Sequence, residues 1–378
     1  MNESILALDT EGTTSNMGNP FDQTNRLVCY SAAQADWADV FFRDEDGDNQ
    51  VRRLLESCTE LVLFNAKFDL HWLNRVGIDF SGKRIWDCQL AEFILSRQTW
   101  KYPDMATTAQ NYGLPCKLDI VKTEYWKKGI DTPDIPRDIL YEYAQHDARL
   151  TYDIRLCQLE RFKEEPALYK LFRLQCADLL ILLEMEAAGL VLREDIAEAK
   201  SKELHKELEQ IENDLRAIYP DIPINFGSND QLSAFLYGGI ISEVVKQHDG
   251  FYKSGKRAGE PKFKNVVIEH QLPRLFEPLK GSELKKEGVY STSEDTLQKL
   301  RGKHRKLVEK LLRMSEIRKL LSTYYDGLIA LNRRMNWPPG RLFGQYNQVV
   351  ARTSRLSSSN PNLQNLSGDS LDMFVTRF

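Results

Sequence analysis

The sequence predicts an α/β domain built around a mixed β-sheet, followed by a mainly α-helical region that closes on short β-strands. Three observations carry this. Through residues 1–158, apolar strand-like runs alternate with segments of helical periodicity, the pattern of helices laid on a sheet. From about residue 165 the apolar spacing turns helical and stays so for most of the chain. Near the end, WPPGRLFGQYNQVVARTSRL opens on a Pro-Pro-Gly turn and continues as strand.

SILALDTEGT is an apolar strand that ends in acidic residues, and RLVCYSAA is its neighbour. RDEDGDNQ reads as a turn, and VRRLLESCTELVLFN as a helix followed by a strand. AKFDLHWLNRVG places Phe68, Leu70, Trp72, Leu73 and Val76 at helical spacing, with Gly77 at its C-terminus. IWDCQLAEFILSRQ reads as a further helix, and DIPRDILYEYAQHDARLTYDIRLCQLERFKEE as a long one with Pro136 near its start. LYKLFRLQCADLLILLEMEAAG ends at Gly189; the charged amphipathic helix after it ends before Pro220, and NDQLSAFLYGG is short and helical. Residues 245–290 are polar and basic, a loop-rich insertion or a set of short strands. TSEDTLQKLRGKHRKLVEKLLRMSEIRKLLSTYYDGLIALNRRMN is one long helical region, with Thr292 or Ser293 as N-cap and Glu294 and Asp295 in the first turn.

With 42% hydrophobic and 28% charged residues, the 378-residue chain has an ordinary globular composition, enough for about two to three domains. The most apolar stretch, LLILLEMEAAGLVL, is interrupted by Glu184 and Glu186 and falls short of the roughly 20 residues of a membrane span. MNESILALDTEG has no basic leader, so a cytoplasmic location without membrane association is expected. The cysteines (Cys29, Cys58, Cys88, Cys116, Cys157, Cys176) are scattered without a C-x-x-C, the pattern of reduced thiols. The net charge of −4 hides an asymmetry. Residues 1–150 hold 16 Lys and Arg against 24 Asp and Glu, while residues 243–320 hold 19 against 11. An acidic front suits metal binding, and a basic middle suits a phosphate backbone.

The residues that carry chemistry cluster in the first part. Asp9 and Glu11 are two apart, which on a strand puts both on one face, with Thr10 pointing away. Gly12 would let a nucleotide approach the backbone closely. Tyr143 and Asp147 are four apart and share one helical face. Asp69 follows Asn65 by four on a helix that starts where a strand ends, a usual place for site residues in α/β sheets. Several carboxylates at one point suit two divalent ions, Mg²⁺ or Mn²⁺, because these ions prefer oxygen ligands. Each piece alone is weak; their order and spacing are specific together.

LDTEG, NAKFD and YAQHD resemble the three motifs of the proofreading 3′→5′ exonucleases of the DEDD superfamily, tyrosine subclass. The resemblance implies a ribonuclease H-like domain over residues 1–158. It implies that Asp9, Glu11 and Asp147 hold a first metal, that Asp9 also touches a second, which Asp69 binds directly or through water, and that Tyr143 orients the attacking water. Asn65 would contact the terminal nucleotide. The histidine subclass carries His five residues before the last Asp, where this chain has Glu142; His146 lies on another helical face.

ARTSRLSSSNPNLQNL resembles the T-G-R-L-S-S…P-N-L-Q-N segment of family A DNA polymerases. LEMEAAGLVL, INFGSNDQLSAFLYG, GVYSTSEDTLQKL and IRKLLSTYYDGLIAL precede it in family order. This implies a helical connector and thumb over residues 159–335, with the basic insertion inside it, and the start of a palm over residues 336–378. Arg355 matches an arginine that reaches the minor groove at the primer terminus, where shared acceptors test pair geometry rather than sequence. Asn362, Gln364 and Asn365 match nearby template or primer contacts. Ser354 departs from the glycine of many relatives. The family's metal-binding D-Y-S-x-x-E segment does not occur, so no polymerisation by this chain alone is expected. A naturally split polymerase, of the phage-encoded type acting in the host cytoplasm, is the favoured expectation over a shortened or degraded one. Its partners would be a DNA primer–template, a single-stranded 3′ end and a C-terminal polymerase subunit, with DMFVTRF a place for that subunit to pair. The alternatives are a DNA-binding assembly subunit and a stand-alone RNA exonuclease.

Overall fold

A computed structural model describes residues 4–257 and 259–375. Ile5–Gly12 (β1) pairs antiparallel with Leu27–Ala33 (β2), which pairs antiparallel with Ala38–Phe42 (β3). Gly47–Ser57 (α1) returns the chain to Glu60–Leu63 (β4), parallel to β1. After Ala66–Arg75 (α2) comes Arg84–Asp87 (β5), parallel to β4. The sheet order is β3-β2-β1-β4-β5, a mixed sheet, as the alternation of elements predicts. Cys88–Leu95 (α3) and Met105–Asn111 (α4) precede the long helix Arg137–Glu164 (α5), which packs across β1, β2 and β3. Leu6, Leu8, Leu63, Trp72, Trp86 and Phe93 belong to the core beneath. Among the buried polar groups, Arg155 of α5 donates to Glu60 at 2.6 Å and ties the helix to the end of β4.

Pro166–Ala188 (α6) follows α5 after a break at Glu165, with Pro166 in the first turn, where its missing N–H costs nothing. It ends at Gly189 with φ +59, where a Cβ would stand 2.7 Å from the Leu342 carbonyl. Leu190–Val191 (β6) comes next, then Glu194–Arg216 (α7), Asn229–Tyr237 (α8) and the antiparallel pair Gly239–Phe251 (β7) and Pro261–Leu272 (β8). Glu294–Lys299 (α9), Arg305–Leu320 (α10), a π turn over Leu321–Tyr325 and Asp326–Arg334 (α11) complete the helices. Arg341–Leu342 (β9) pairs with β6, and Gln345–Asn347 (β10) with Ser357–Ser359 (β11). The described residues fall into two units, Met1–Glu194 with Leu328–Phe378, and Asp195–Gly327.

Several expectations are corrected. Ile85, Trp86 and Asp87 are strand, not helix: their side chains are buried between β4 and the helices, and Asp87 then caps α3. β3 carries a short polar–apolar run that periodicity did not separate. The acidic run at 43–50 is a single 3₁₀ turn that enters α1, not a turn alone. Residues 245–290 contain most of one long hairpin rather than loops or short strands. The long helical region breaks between α9 and α10. Gly302, at φ +133 in a conformation closed to other residues, falls in that break. Ser293 precedes α9 without a capping bond; its hydroxyl faces Ser291 and Thr296. No helix among the described residues is long and apolar enough to cross a membrane. Asp372–Val375 of the closing DMFVTRF segment are described, and Phe374 bridges to Leu192; residues 376–378 lie outside the described residues.

Candidate active site

β1 places Asp9 and Glu11 on one face, and α5 brings Asp147 to them from the other side of the chain. One oxygen from each of these three residues lies within 4.8 Å of the others. Glu11 and Asp147 are buried, while Asp9 is half-buried. Burial and then the Asp147 charge push the Asp9 carboxyl up to about 7. Glu11 is driven well above the ordinary carboxylate range, first by burial and then by Asp9 and Asp147. Three carboxylates that resist ionising together are a site that lacks positive charge.

Tyr143, one turn before Asp147, is buried, and its ring lies edge-on to Trp126 with centroids 5.9 Å apart. Burial, then Glu11, Asp147 and Asp9, push its phenol far above the usual value, so it stays protonated at any working pH. A protonated phenol can hold a water by hydrogen bonding but is a poor base.

Asp69 does not join the three-carboxylate cluster. Its carboxylate accepts a hydrogen bond from Thr10 Oγ1 at 2.6 Å, and it feels the Asp9 charge. Thr10 does point away from Asp9 and Glu11, and toward α2. Asn65 is exposed at the N-cap of α2, with φ +65 in the left-handed region. Asp87 holds it there: its carboxylate accepts from the backbone N–H groups of Asn65 and Ala66, each at 3.1 Å, and of Gln89 at 2.9 Å. Gly12 has a packing reason to be glycine, because a Cβ would stand 2.9 Å from the Trp72 ring.

Lys117 also enters the site, though no local pattern in the sequence points to it. Its ammonium pairs with Asp147 and lies 5.0 Å over the Tyr143 ring. It arrives on the loop before α5, where nothing in GLPCKLDI marks it. His146 faces the Cys116 carbonyl at 2.9 Å and so anchors that loop.

The residues present fit divalent cations. Asp147 Oδ1 is buried and has no hydrogen-bond partner, and the surrounding donors are hard carboxylate oxygens. Asp9, Glu11 and Asp147 are positioned to hold one ion.

In the polymerase-like segment, Ser354 adopts φ +56, a left-handed conformation that glycine takes at less cost, and its hydroxyl accepts from Gln98. Arg355, Gln364 and Asn365 are exposed. Asn362 is exposed too, but its side chain accepts the Gln364 N–H at 3.1 Å and so shapes a 3₁₀ turn. These four residues lie away from the carboxylate site in sequence, and no metal cluster among the described residues includes them. A cavity of about 260 Å³ is lined by Asn65, Phe68, Tyr102, Asn347, Gln348 and other residues of the same unit.

Residues 1–158 match the family model for 3′–5′ exonuclease, and residues 256–375 match DNA polymerase family A. The chain carries a 3′–5′ exonuclease domain and a family A polymerase segment. It is 28% identical to DNA polymerase I of Bacillus subtilis over 306 residues, 80% of this chain and 29% of that protein. It is 28% identical to DNA polymerase I of Treponema pallidum over 322 residues, 84% of this chain and 27% of that one. The chain thus spans less than a third of these relatives' length. The fold superposes on the POL domain of Pol1 from M. smegmatis, solved in complex with DNA primer-template and dNTP, with TM-score 0.68 and 19% identity over 97% of this chain and 52% of that one.

Proposed function

We propose that this chain is a 3′→5′ proofreading exonuclease that removes nucleotides from the 3′ end of a DNA primer, releasing nucleoside 5′-monophosphates. The observation that carries this is the three-carboxylate cluster of Asp9, Glu11 and Asp147, with an orphaned Asp147 oxygen and Tyr143 one helical turn away.

In the reaction, a water oxygen forms a bond to the terminal phosphorus and the bond to the 3′ oxygen of the preceding nucleotide breaks. The shortened strand regains a 3′ hydroxyl. Two divalent cations, Mg²⁺ or Mn²⁺, would supply Lewis-acid stabilisation of the attacking and leaving oxygens. Asp9, Glu11 and Asp147 would hold one, and Asp69, which accepts from Thr10, would serve the other beside Asp9. Tyr143 orients the water without taking its proton. Asn65, fixed in its left-handed conformation by Asp87, faces the terminal nucleotide across the cavity beside it.

The same reading assigns residues 1–158 to the exonuclease, 159–335 to a connector and thumb, and 336–378 to the start of a palm. Arg355, Gln364 and Asn365 would contact primer–template DNA, with Asn362 shaping the turn that presents them. The match to DNA polymerase family A supports this. A C-terminal chain carrying the remaining palm and fingers is the proposed partner.

The test is degradation of a 5′-labelled primer–template, matched and mismatched, with Mg²⁺ or Mn²⁺. A 3′→5′ ladder that disappears in Asp9→Ala supports the nuclease; equal degradation by both proteins, or preference for RNA, overturns it. Adding dNTPs and the candidate partner tests the second part. Synthesis only by the pair supports the partnership, and synthesis by this chain alone refutes it.

A further inference from the structure

α2 has two functional faces. Asp69 points toward Thr10 and the carboxylates of β1. Lys67 and His71, four apart and therefore on one face, are two residues to either side of Asp69 and so on the opposite side of the helix. Both meet one buried carboxylate, Glu186 near the end of α6. Lys67 pairs with Glu186 Oε1, and His71 Nε2 lies 2.9 Å from Glu186 Oε2.

The remaining contacts of this group run to the polymerase-like segment. The Tyr346 backbone N–H donates to Glu186 Oε1 at 2.6 Å, and Lys67 Nζ donates to the Tyr346 carbonyl at 2.5 Å. Tyr346 lies in β10, so both of its backbone polar groups bond to this ion pair. Phe21 adds an apolar link, its ring edge-on to His71 and stacked on Phe343 at 4.3 Å. Burial pushes the Glu186 carboxyl up, but the His71 bond and the Lys67 charge outweigh it and hold it below its ordinary value. A carboxylate satisfied by three partners on two elements is a rigid joint, and removing its charge leaves Lys67 half-satisfied in a protected site.

We propose that Glu186 is a positioning residue for the exonuclease: through Lys67 and His71 it fixes α2 against β10, and so sets where Asn65 and Asp69 stand relative to Asp9, Glu11 and Asp147. This rests on the nuclease reading given above. Glu186 lines, with Lys67, His71 and Asn65, the cavity described above, and its own hydrogen bonds run to Lys67, His71 and Tyr346. It acts at a distance because a helix moves as a body, so a shift at its Glu186 face is a shift at its Asp69 face. The strand β10 then becomes part of the nuclease by the same joint, which gives a physical reason for the two family segments to be folded into one unit.

The test uses the full chain with Glu186→Gln, which keeps the shape and removes the charge, and with Lys67→Met. Two measurements are made: degradation of a 5′-labelled single-stranded oligonucleotide with Mg²⁺, and amide hydrogen exchange in the metal-free proteins. Positioning predicts that kcat falls roughly 10- to 100-fold while KM stays within about twofold, the scale expected when a reacting group is misplaced by an ångström or less. It also predicts faster exchange over Ala66–Arg75 and Gln345–Asn347 together, with Leu27–Ala33 unchanged. The double variant is no slower than the worse single variant, because both remove one joint.

Unchanged kcat in Glu186→Gln overturns the proposal. So does a loss of kcat accompanied by faster exchange throughout the chain, which is general destabilisation, or by no change in α2. Should the unaltered chain degrade nothing, the nuclease reading is what fails, and exchange in α2 and β10 still decides whether Glu186 joins them.

Discussion

Asp9 sits at the meeting point of three acidic side chains, and its carboxyl is pushed up to about 7. The sign of the consequence follows from proton counting. Between the ordinary carboxyl range and about 7, the folded metal-free chain binds more protons than the unfolded chain, so stability falls as pH rises through that window. Tm of the metal-free protein should therefore decline from pH 5 toward pH 8, and Mg²⁺ should remove the decline, which a pH series of thermal melts with and without the ion checks. Lys117 partly supplies the missing positive charge by pairing with Asp147. Lys117→Met should tighten Mn²⁺ binding by about tenfold, the scale of one partly screened charge pair, as read by calorimetric titration. Tyr143→Phe keeps the ring and loses the hydroxyl. It should keep the fold, lower kcat by about tenfold or more and leave KM for a single strand near its original value, since only the water loses its guide. The residue pairs Asp9–Glu11 and Tyr143–Asp147 were legible because each depends on a single local period, two for the strand and four for the helix. Lys117 was not, because its position is set by the path of a loop.

The long helix α5 carries both Tyr143 and Asp147 and is pinned to β4 by the buried Arg155–Glu60 pair. Arg155→Ala leaves a buried carboxylate short of its main partner and should cost about 3 kcal/mol in denaturant unfolding, the range seen when one member of a buried ion pair is removed. The hairpin of β7 and β8 is the opposite case. Apart from half-buried Tyr252, its described side chains between Val245 and Val266 are exposed. Replacing residues 246–264 with a short turn should change Tm by less than about 2 °C, because little apolar surface is buried there. The hairpin escaped the sequence reading because Lys, Asn and Gly are poor strand formers, and cross-strand pairing overrode their preference. In the sequence Glu186 shows only as an interruption of an apolar stretch. A carboxylate inside an apolar helix implies a buried partner, but the sequence does not say which one.

At the scale of the whole molecule, the acidic surplus of the first 150 residues and the basic surplus of 243–320 mark two kinds of surface. The first contains the carboxylate site, and the second falls within the unit Asp195–Gly327. The polymerase-like residues from 328 onward fold with the exonuclease domain rather than with the helices that precede them in sequence. The sequence by itself determined the mixed sheet, the order of its helices and the identity of the acidic residues, because spacing along one strand or one helix fixes which side chains share a face. Only the tertiary structure decided that Asp69 stands apart from the other three carboxylates, that Gly12 makes room for Trp72, that Lys117 enters the site, and that Glu186 joins α2 to β10. Each of those depends on a contact between residues far apart in the chain, and such contacts are set by packing, which no local period records.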